Sequence, residues 1–128
     1  MRSAEVADAD PGKVTRRDGS VAVVRLGAKV DLAAATWLDR ACRQLLDEGV
    51  TCIVVDLDHC ESIDSTAIGV CLYNQSLLRA RGGMLALVAL RPAIATAVRE
   101  LDIRRLLPFY DDADAAFAAA AKECAGSS

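Results

Sequence analysis

The sequence predicts an α/β fold: a mixed sheet of four to five strands with about four helices packed on it. Two observations lead to this class. Short apolar runs, typical of buried strands, alternate with longer segments whose apolar residues recur at three- and four-residue spacings, as in helices. A hairpin signal precedes this alternation, so we expect antiparallel and parallel pairing in one sheet. The 128 residues suffice for a single core.

The first predicted elements form a hairpin. The segments Lys13 to Arg17 and Ser20 to Leu26 flank Asp18-Gly19, a dipeptide that supplies the positive φ angles of tight turns. Residues 1–12 are polar and alanine-rich and end in Asp-Pro-Gly, which is typical of a flexible N-terminal tail. We therefore expect the domain to begin at residue 13.

A helix and a central strand follow the hairpin. After Val30-Asp31 the period becomes helical until Gly49, with one apolar face made by Ala35, Leu38, Ala41, Cys42, Leu45 and Leu46. The run Cys52 to Leu57 is almost entirely apolar and β-branched, as in a parallel strand covered on both faces.

The second half of the chain repeats this alternation. The predicted elements are a helix Ala67 to Arg81 ended by Gly82-Gly83, a strand Met84 to Leu90, a helix Pro92 to Leu101, an edge strand Leu106 to Tyr110, and a helix from Asp111 or Asp112 to about Glu123. The single domain is thus predicted over residues 13–124, with residues 125–128 as a C-terminal tail.

Composition limits the classes of function. The net charge of −3 is spread over the chain without a long block of one sign, which disfavours direct nucleic-acid binding. No secretory leader or long apolar stretch is evident, so we expect a cytoplasmic protein without direct membrane contact. The five cysteines form no C-x-x-C pair and are expected to be reduced thiols.

Few residues of the chain could form a catalytic or metal-binding site. His59 is the only histidine, and its neighbour in sequence, Cys60, is poorly placed to act with it as a relay. We therefore predict no catalytic residues, no metal site and no cofactor. An enzyme that uses Ser65 or Cys60 as nucleophile is retained as the least favoured alternative, because it lacks a convincing base.

The turn Asp64-Ser65-Thr66 is the remaining candidate for function. It lies where a strand gives way to a helix, and free N–H groups at a helix N-terminus stabilise a phosphate. The same residue types are also ordinary helix caps. A phosphate on Ser65 would add about −1.5 to −2 charges and would repel a partner with an acidic or closely packed surface.

These residues carry a resemblance to a family. The segments Val30-Asp31, Ile53 to Leu57, Asp64 to Gly69, and Gly82-Gly83 with the following strand and Pro92 helix resemble the STAS domain. More narrowly, the chain is similar to single-domain anti-sigma factor antagonists of bacteria. The family's usual Gly-Glu-Leu-Asp loop reads Ala28-Lys29-Val30-Asp31 here, and Ala67 replaces the glycine that follows Ser-Thr in its motif.

The resemblance implies a cycle of partner switching. An anti-sigma factor that is also a serine kinase would phosphorylate Ser65, with Thr66 as the alternative acceptor, and a PP2C-type phosphatase would reverse the modification. The unphosphorylated form would capture the kinase and free the sigma factor. The partner-binding residues implied are Asp31, Asp64, Ser65, Thr66, Ile68 and Gly69.

A second role within the same fold stays open at this stage. The chain could be a constitutive STAS subunit of a lipid-transport ABC complex or of a stressosome. In that role Ser65 and Thr66 would be a plain cap and docking contact.

Overall fold

The computed structural model describes residues 11–88, 91–100 and 106–127. Strands and helices alternate along the chain as predicted. The strands are β1 (Gly12–Asp18), β2 (Val21–Leu26), β3 (Lys29–Val30), β4 (Cys52–Asp56), β5 (Ser62–Ile63), β6 (Met84–Val88) and β7 (Phe109–Tyr110). The helices are α1 (Leu32–Asp47), α2 (Ser65–Arg79), α3 (Pro92–Glu100) and α4 (Ala113–Ser127).

Five strands form one mixed sheet in the order β1-β2-β4-β6-β7. β1 runs antiparallel to β2, whereas β2, β4, β6 and β7 are mutually parallel. The predicted α/β class, with a hairpin joined to a parallel portion, is confirmed. Helical connections between the parallel strands place the strands' carboxyl ends along one edge of the sheet.

The central strand β4 is buried on both faces. Ile53 and Val55 face the larger apolar cluster, which is completed by residues of α1, α2 and α3. Val54 faces the opposite cluster, where Phe117 of α4 covers the sheet. Successive side chains of a strand point to opposite faces, so a strand between two layers of helices must be apolar throughout.

A second, two-stranded parallel sheet lies beside the main one, between β3 and β5. This small sheet was not predicted from the sequence, because strands of two residues are too short to show a period. This small sheet joins the segment before α1 to the segment before α2, so it sets the relative positions of the two helices.

Several element ends differ from the sequence prediction. Asp18 pairs with Val21, so the hairpin turn consists of Gly19 (φ 62°) and Ser20 and lies one residue later than expected. α2 begins at Ser65, two residues before the predicted start, and β7 begins only at Phe109. α4 continues to Ser127, beyond the predicted end at Glu123. The predicted tail residues 1–10, strand residues 89–90 and helix residue Leu101 lie outside the described residues.

The cysteines are not all in the state that the sequence suggested. Cys42, Cys60 and Cys71 are free thiols, whereas Cys52 is disulfide-bonded. Cys52 begins β4 on the face of the sheet that α4 covers. The expectation of reduced thiols is therefore wrong at Cys52.

Candidate docking site at two helix N-termini

Two helix N-termini lie side by side at the carboxyl-end edge of the sheet. β3 and β5 are in parallel register, with Val30 opposite Ile63, and the backbone N–H of Asp64 donates to the Val30 carbonyl over 2.8 Å. Asp31 and Asp64 are the next residues on the two strands, and each is the N-cap of the helix that follows. The register of the small sheet therefore places the Asp31 cap beside the Asp64 cap.

Both carboxylates are engaged by the helices that they cap. The Asp31 carboxylate accepts the N–H of Ala34 over 3.0 Å, and the Asp64 carboxylate accepts the N–H of Thr66 over 2.8 Å. The backbone N–H and the hydroxyl of Thr66 both donate to Asp64, and these bonds lower the pKa of its carboxyl group. Near neutral pH, Asp64 is therefore a fixed negative charge.

Ser65 and Thr66 differ in the freedom of their hydroxyl groups. Both residues are exposed in the first turn of α2. The Thr66 hydroxyl is bonded to Asp64, whereas within the described part of the chain the Ser65 side chain has no hydrogen-bond partner. A phosphate on Thr66 would lose this bond and meet the Asp64 carboxylate directly. Ser65 is thus the better placed acceptor.

The residues that follow divide between the core and the surface. Ala67 and Ile68 are buried in the larger cluster, whereas Gly69 is exposed. Ile68 was expected to contact a partner, but its buried side chain anchors α2 to the sheet and is not available on the surface. The methyl group of Ala67 is likewise buried in the core.

Two exposed apolar side chains extend this surface. Leu32, the first residue of α1, is 63% exposed, and Tyr73 of α2 is 50% exposed. Tyr73 follows Gly69 by four residues on the same helix face, and the Arg43 guanidinium lies 5.1 Å from its ring centroid. Neither exposure was predicted from the sequence. Two signals were available there: an apolar residue directly after Asp31, and an aromatic residue four positions after Gly69.

We name Asp31, Leu32, Asp64, Ser65, Thr66, Gly69 and Tyr73 together the cap surface. A buried polar contact holds its two helices in place. The Asn74 side chain of α2 donates to the Asp39 carboxylate of α1 over 3.0 Å and to the Val70 carbonyl over 3.0 Å. Breaking such a hydrogen bond costs stability, so it helps to fix the position of α1 relative to α2. The cap surface is therefore preorganised.

The alternative nucleophile Cys60 is unsuited to catalysis. Its side chain is buried, its Sγ donates to the Ser62 carbonyl over 3.3 Å, and burial raises the pKa of the thiol. A thiol with a raised pKa is a poor nucleophile because little thiolate is present. In residues 11–88, 91–100 and 106–127, no cluster of three or more His, Cys, Asp or Glu side chains is arranged to hold a metal ion.

Comparison with known families agrees with this geometry. The STAS domain family matches residues 13–116, which is most of the chain and includes the whole cap surface. The chain belongs to the STAS domain family. No curated protein is significantly similar to it in sequence. In the part of this STAS domain that the structure describes, no helix has both the length and the apolar character of a membrane span.

Solved structures share the fold of this STAS domain at low sequence identity. The anti-sigma factor antagonist SpoIIAA in its unphosphorylated form has a TM-score of 0.72 at 17% identity, covering 81% of this chain and 91% of SpoIIAA. The phosphorylated form, from Bacillus, has a TM-score of 0.66 at 17% identity over 81% and 95% of the two chains. An anti-sigma factor antagonist from Mycobacterium paratuberculosis has a TM-score of 0.69 at 22% identity over 86% and 92%.

Proposed function

We propose that this STAS domain is an anti-sigma factor antagonist whose binding is switched by phosphorylation of Ser65. The unphosphorylated chain captures an anti-sigma factor that is also a serine kinase, and a PP2C-type phosphatase restores this form. The cycle operates in the cytoplasm. The exposed Ser65 hydroxyl, at the start of α2 and directly after the Asp64 cap, is the observation that carries the proposal.

Electrostatics gives the switch its direction. A phosphate on Ser65 adds about −1.5 to −2 charges near the aspartate caps of the two helices. A partner that packs closely on the cap surface then has to desolvate this group and accept its repulsion. Phosphorylation therefore releases the partner without any change in the fold.

The apolar members of the cap surface supply affinity before modification. Leu32, directly after the Asp31 cap, and Tyr73, four residues after Gly69, expose apolar area. Aromatic side chains dominate the energy of many interfaces because a partner can bury a large area on them. In this proposal, Asp31, Asp64, Thr66 and Gly69 shape the contact, and Leu32 and Tyr73 are the anchors.

Phosphorylation is tested with purified chains, ATP and each serine kinase of the anti-sigma factor type from the same genome. We expect peptide mass spectrometry to locate phosphate on Ser65 in the wild type and in Thr66→Val. Ser65→Ala should remain unmodified. Phosphate on Thr66 instead, or an equally modified Ser65→Ala chain, would contradict the assignment of the acceptor.

Binding of the kinase is measured by calorimetry on a matched pair of variants. Ser65→Asp adds a negative charge, whereas Ser65→Asn has nearly the same shape without the charge. We expect Ser65→Asp to weaken binding at least about tenfold relative to Ser65→Asn. Equal affinities would exclude a charge switch. Co-purification with a transport ATPase or a scaffold, and with no kinase, would instead favour a constitutive assembly subunit.

A further inference from the structure

A cavity lies at the carboxyl ends of β2 and β4. Its volume is about 480 Å³, and its walls include Lys13 of β1, Arg25 of β2, His59 and Glu61 of the loop after β4, and Arg91 just before α3. We call these five residues the basic pocket. Ser65 is not part of its lining, so the proposed phosphorylation switch leaves this cavity unexplained.

Each arginine of the basic pocket is held through one nitrogen, which leaves its other N–H groups free to donate hydrogen bonds. Arg25 Nε donates to the buried Asp56 carboxylate over 3.4 Å, and Arg91 Nε donates to the Asp58 carbonyl over 3.0 Å. These bonds orient both guanidinium groups through Nε, and their terminal nitrogens have no partner within the described residues. The Lys13 ammonium group is likewise exposed and unpaired there.

The charge of the lining favours an anion. Three permanent cations face one carboxylate, Glu61, in the cavity, and Asp56 beneath it offsets part of the Arg25 charge. Guanidinium and ammonium groups that converge from separate elements are the usual protein ligands of phosphate. The position agrees, because ligands of open α/β sheets bind outside the carboxyl ends of the parallel strands.

The volume of the cavity and the presence of Glu61 in its lining limit the kinds of ligand that can bind. The cavity falls within the range of pockets for small organic molecules, roughly 300–1,000 Å³, and exceeds what a bare phosphate ion fills. Glu61 repels a second phosphate but accepts hydrogen bonds from hydroxyl groups, and His59 can take part in the same contacts. We propose that the basic pocket binds a phosphate monoester of a small polyhydroxylated molecule.

Calorimetry with ribose 5-phosphate as the probe tests the proposal, with ribose and inorganic phosphate as comparisons. We expect ribose 5-phosphate to bind at least about tenfold more tightly than either comparison, and more weakly as ionic strength rises. No binding of ribose 5-phosphate would overturn the proposal. Equal binding of inorganic phosphate would also overturn it, because the hydroxyl contacts would then contribute nothing.

Three variants that each remove one positive charge test where the ligand binds. Arg91→Gln and Lys13→Gln change exposed residues and should each weaken binding about tenfold, because each removes a charge-assisted hydrogen bond. Arg81→Gln changes an exposed arginine outside the pocket and should have no effect. Equal losses in all three variants would indicate diffuse attraction and would refute a built site. Ser65→Ala should bind the probe normally, so this result is separate from the proposed phosphorylation switch.

Discussion

At the scale of single residues, the cap surface depends on how one carboxylate is shared. Asp64 accepts both the N–H and the hydroxyl of Thr66, and this pairing leaves the neighbouring Ser65 hydroxyl free in the described structure. The same bonds hold the start of α2 in a fixed conformation. In the proposed switch, a kinase would therefore meet one available hydroxyl group, on a backbone that does not have to be ordered first.

The substitution Gly69→Ala should change the stability of the fold and the affinity for the kinase in opposite directions. A Cβ at Gly69 meets nothing within 4 Å, and the residue lies exposed within α2. Gly69→Ala should therefore raise the free energy of unfolding by about 1 kcal/mol, because alanine is the better helix former. The added methyl group should weaken kinase binding, because it lies on the surface that the partner covers. Urea denaturation and calorimetry measure the two effects.

Gly83 is the matched contrast for this substitution. A Cβ there would overlap the backbone oxygen of Thr51, so Gly83→Ala should destabilise the fold. A Gly69→Ala chain that is stabilised and still binds the kinase with unchanged affinity would remove Gly69 from the proposed contact.

At the scale of elements, a side chain completes the sheet where a strand is too short. β7 pairs with β6 only at Leu87 and Val88, so the earlier part of that edge of β6 lacks a strand partner. The Gln75 side chain of α2 fills this role: its Oε1 accepts the N–H of Leu85 over 2.6 Å, and its Nε2 donates to the Leu106 carbonyl over 2.8 Å. Gln75 thus joins α2, β6 and the segment before β7.

Removing the hydrogen bonds of the Gln75 amide should lower the stability of the fold. Gln75→Met keeps most of the volume but leaves the buried N–H of Leu85 without a partner, so the free energy of unfolding should fall by about 2 kcal/mol. Ser76→Ala, at an exposed position on the same helix, should change it little. Chemical denaturation of both variants gives the comparison. Similar stabilities for Gln75→Met and the wild type would show that water replaces the amide.

The elements also show how far the sequence could be interpreted. Strands such as β4 were predictable because burial on both faces leaves a continuous apolar run. Helices such as α1 were predictable because burial on one face leaves a clear period. The pairing of β3 with β5 left no such trace, yet this pairing brings Asp31 beside Asp64. The resemblance to a family pointed to both aspartates, and the hydrophobic pattern did not. The exposure of Tyr73 and the burial of Ile68 depend on how α2 is rotated on the sheet.

At the scale of the whole molecule, the residues of the proposed switch are separate from the core. The larger cluster lies between the sheet and α1, α2 and α3, and the smaller cluster lies under α4 on the opposite face. The cap surface lies outside both clusters and contacts them mainly through the buried residues that anchor its helices. Phosphorylation of Ser65 would change the net charge from −3 to about −5 and would leave all of the buried contacts in place.

Amide hydrogen exchange tests whether the switch is local. Amides of β4, paired on both sides and fully buried, should exchange only through global unfolding and be the slowest in the molecule. Phosphorylation of Ser65 should leave their rates unchanged and alter exchange only in the first turns of α1 and α2, where the new charge meets the caps. The matched control is the Ser65→Ala chain treated with the same kinase, which should show no change. Faster exchange in β4 or β6 after phosphorylation would mean that the modification loosens the core, and release of the partner would then have to be explained by a change of conformation.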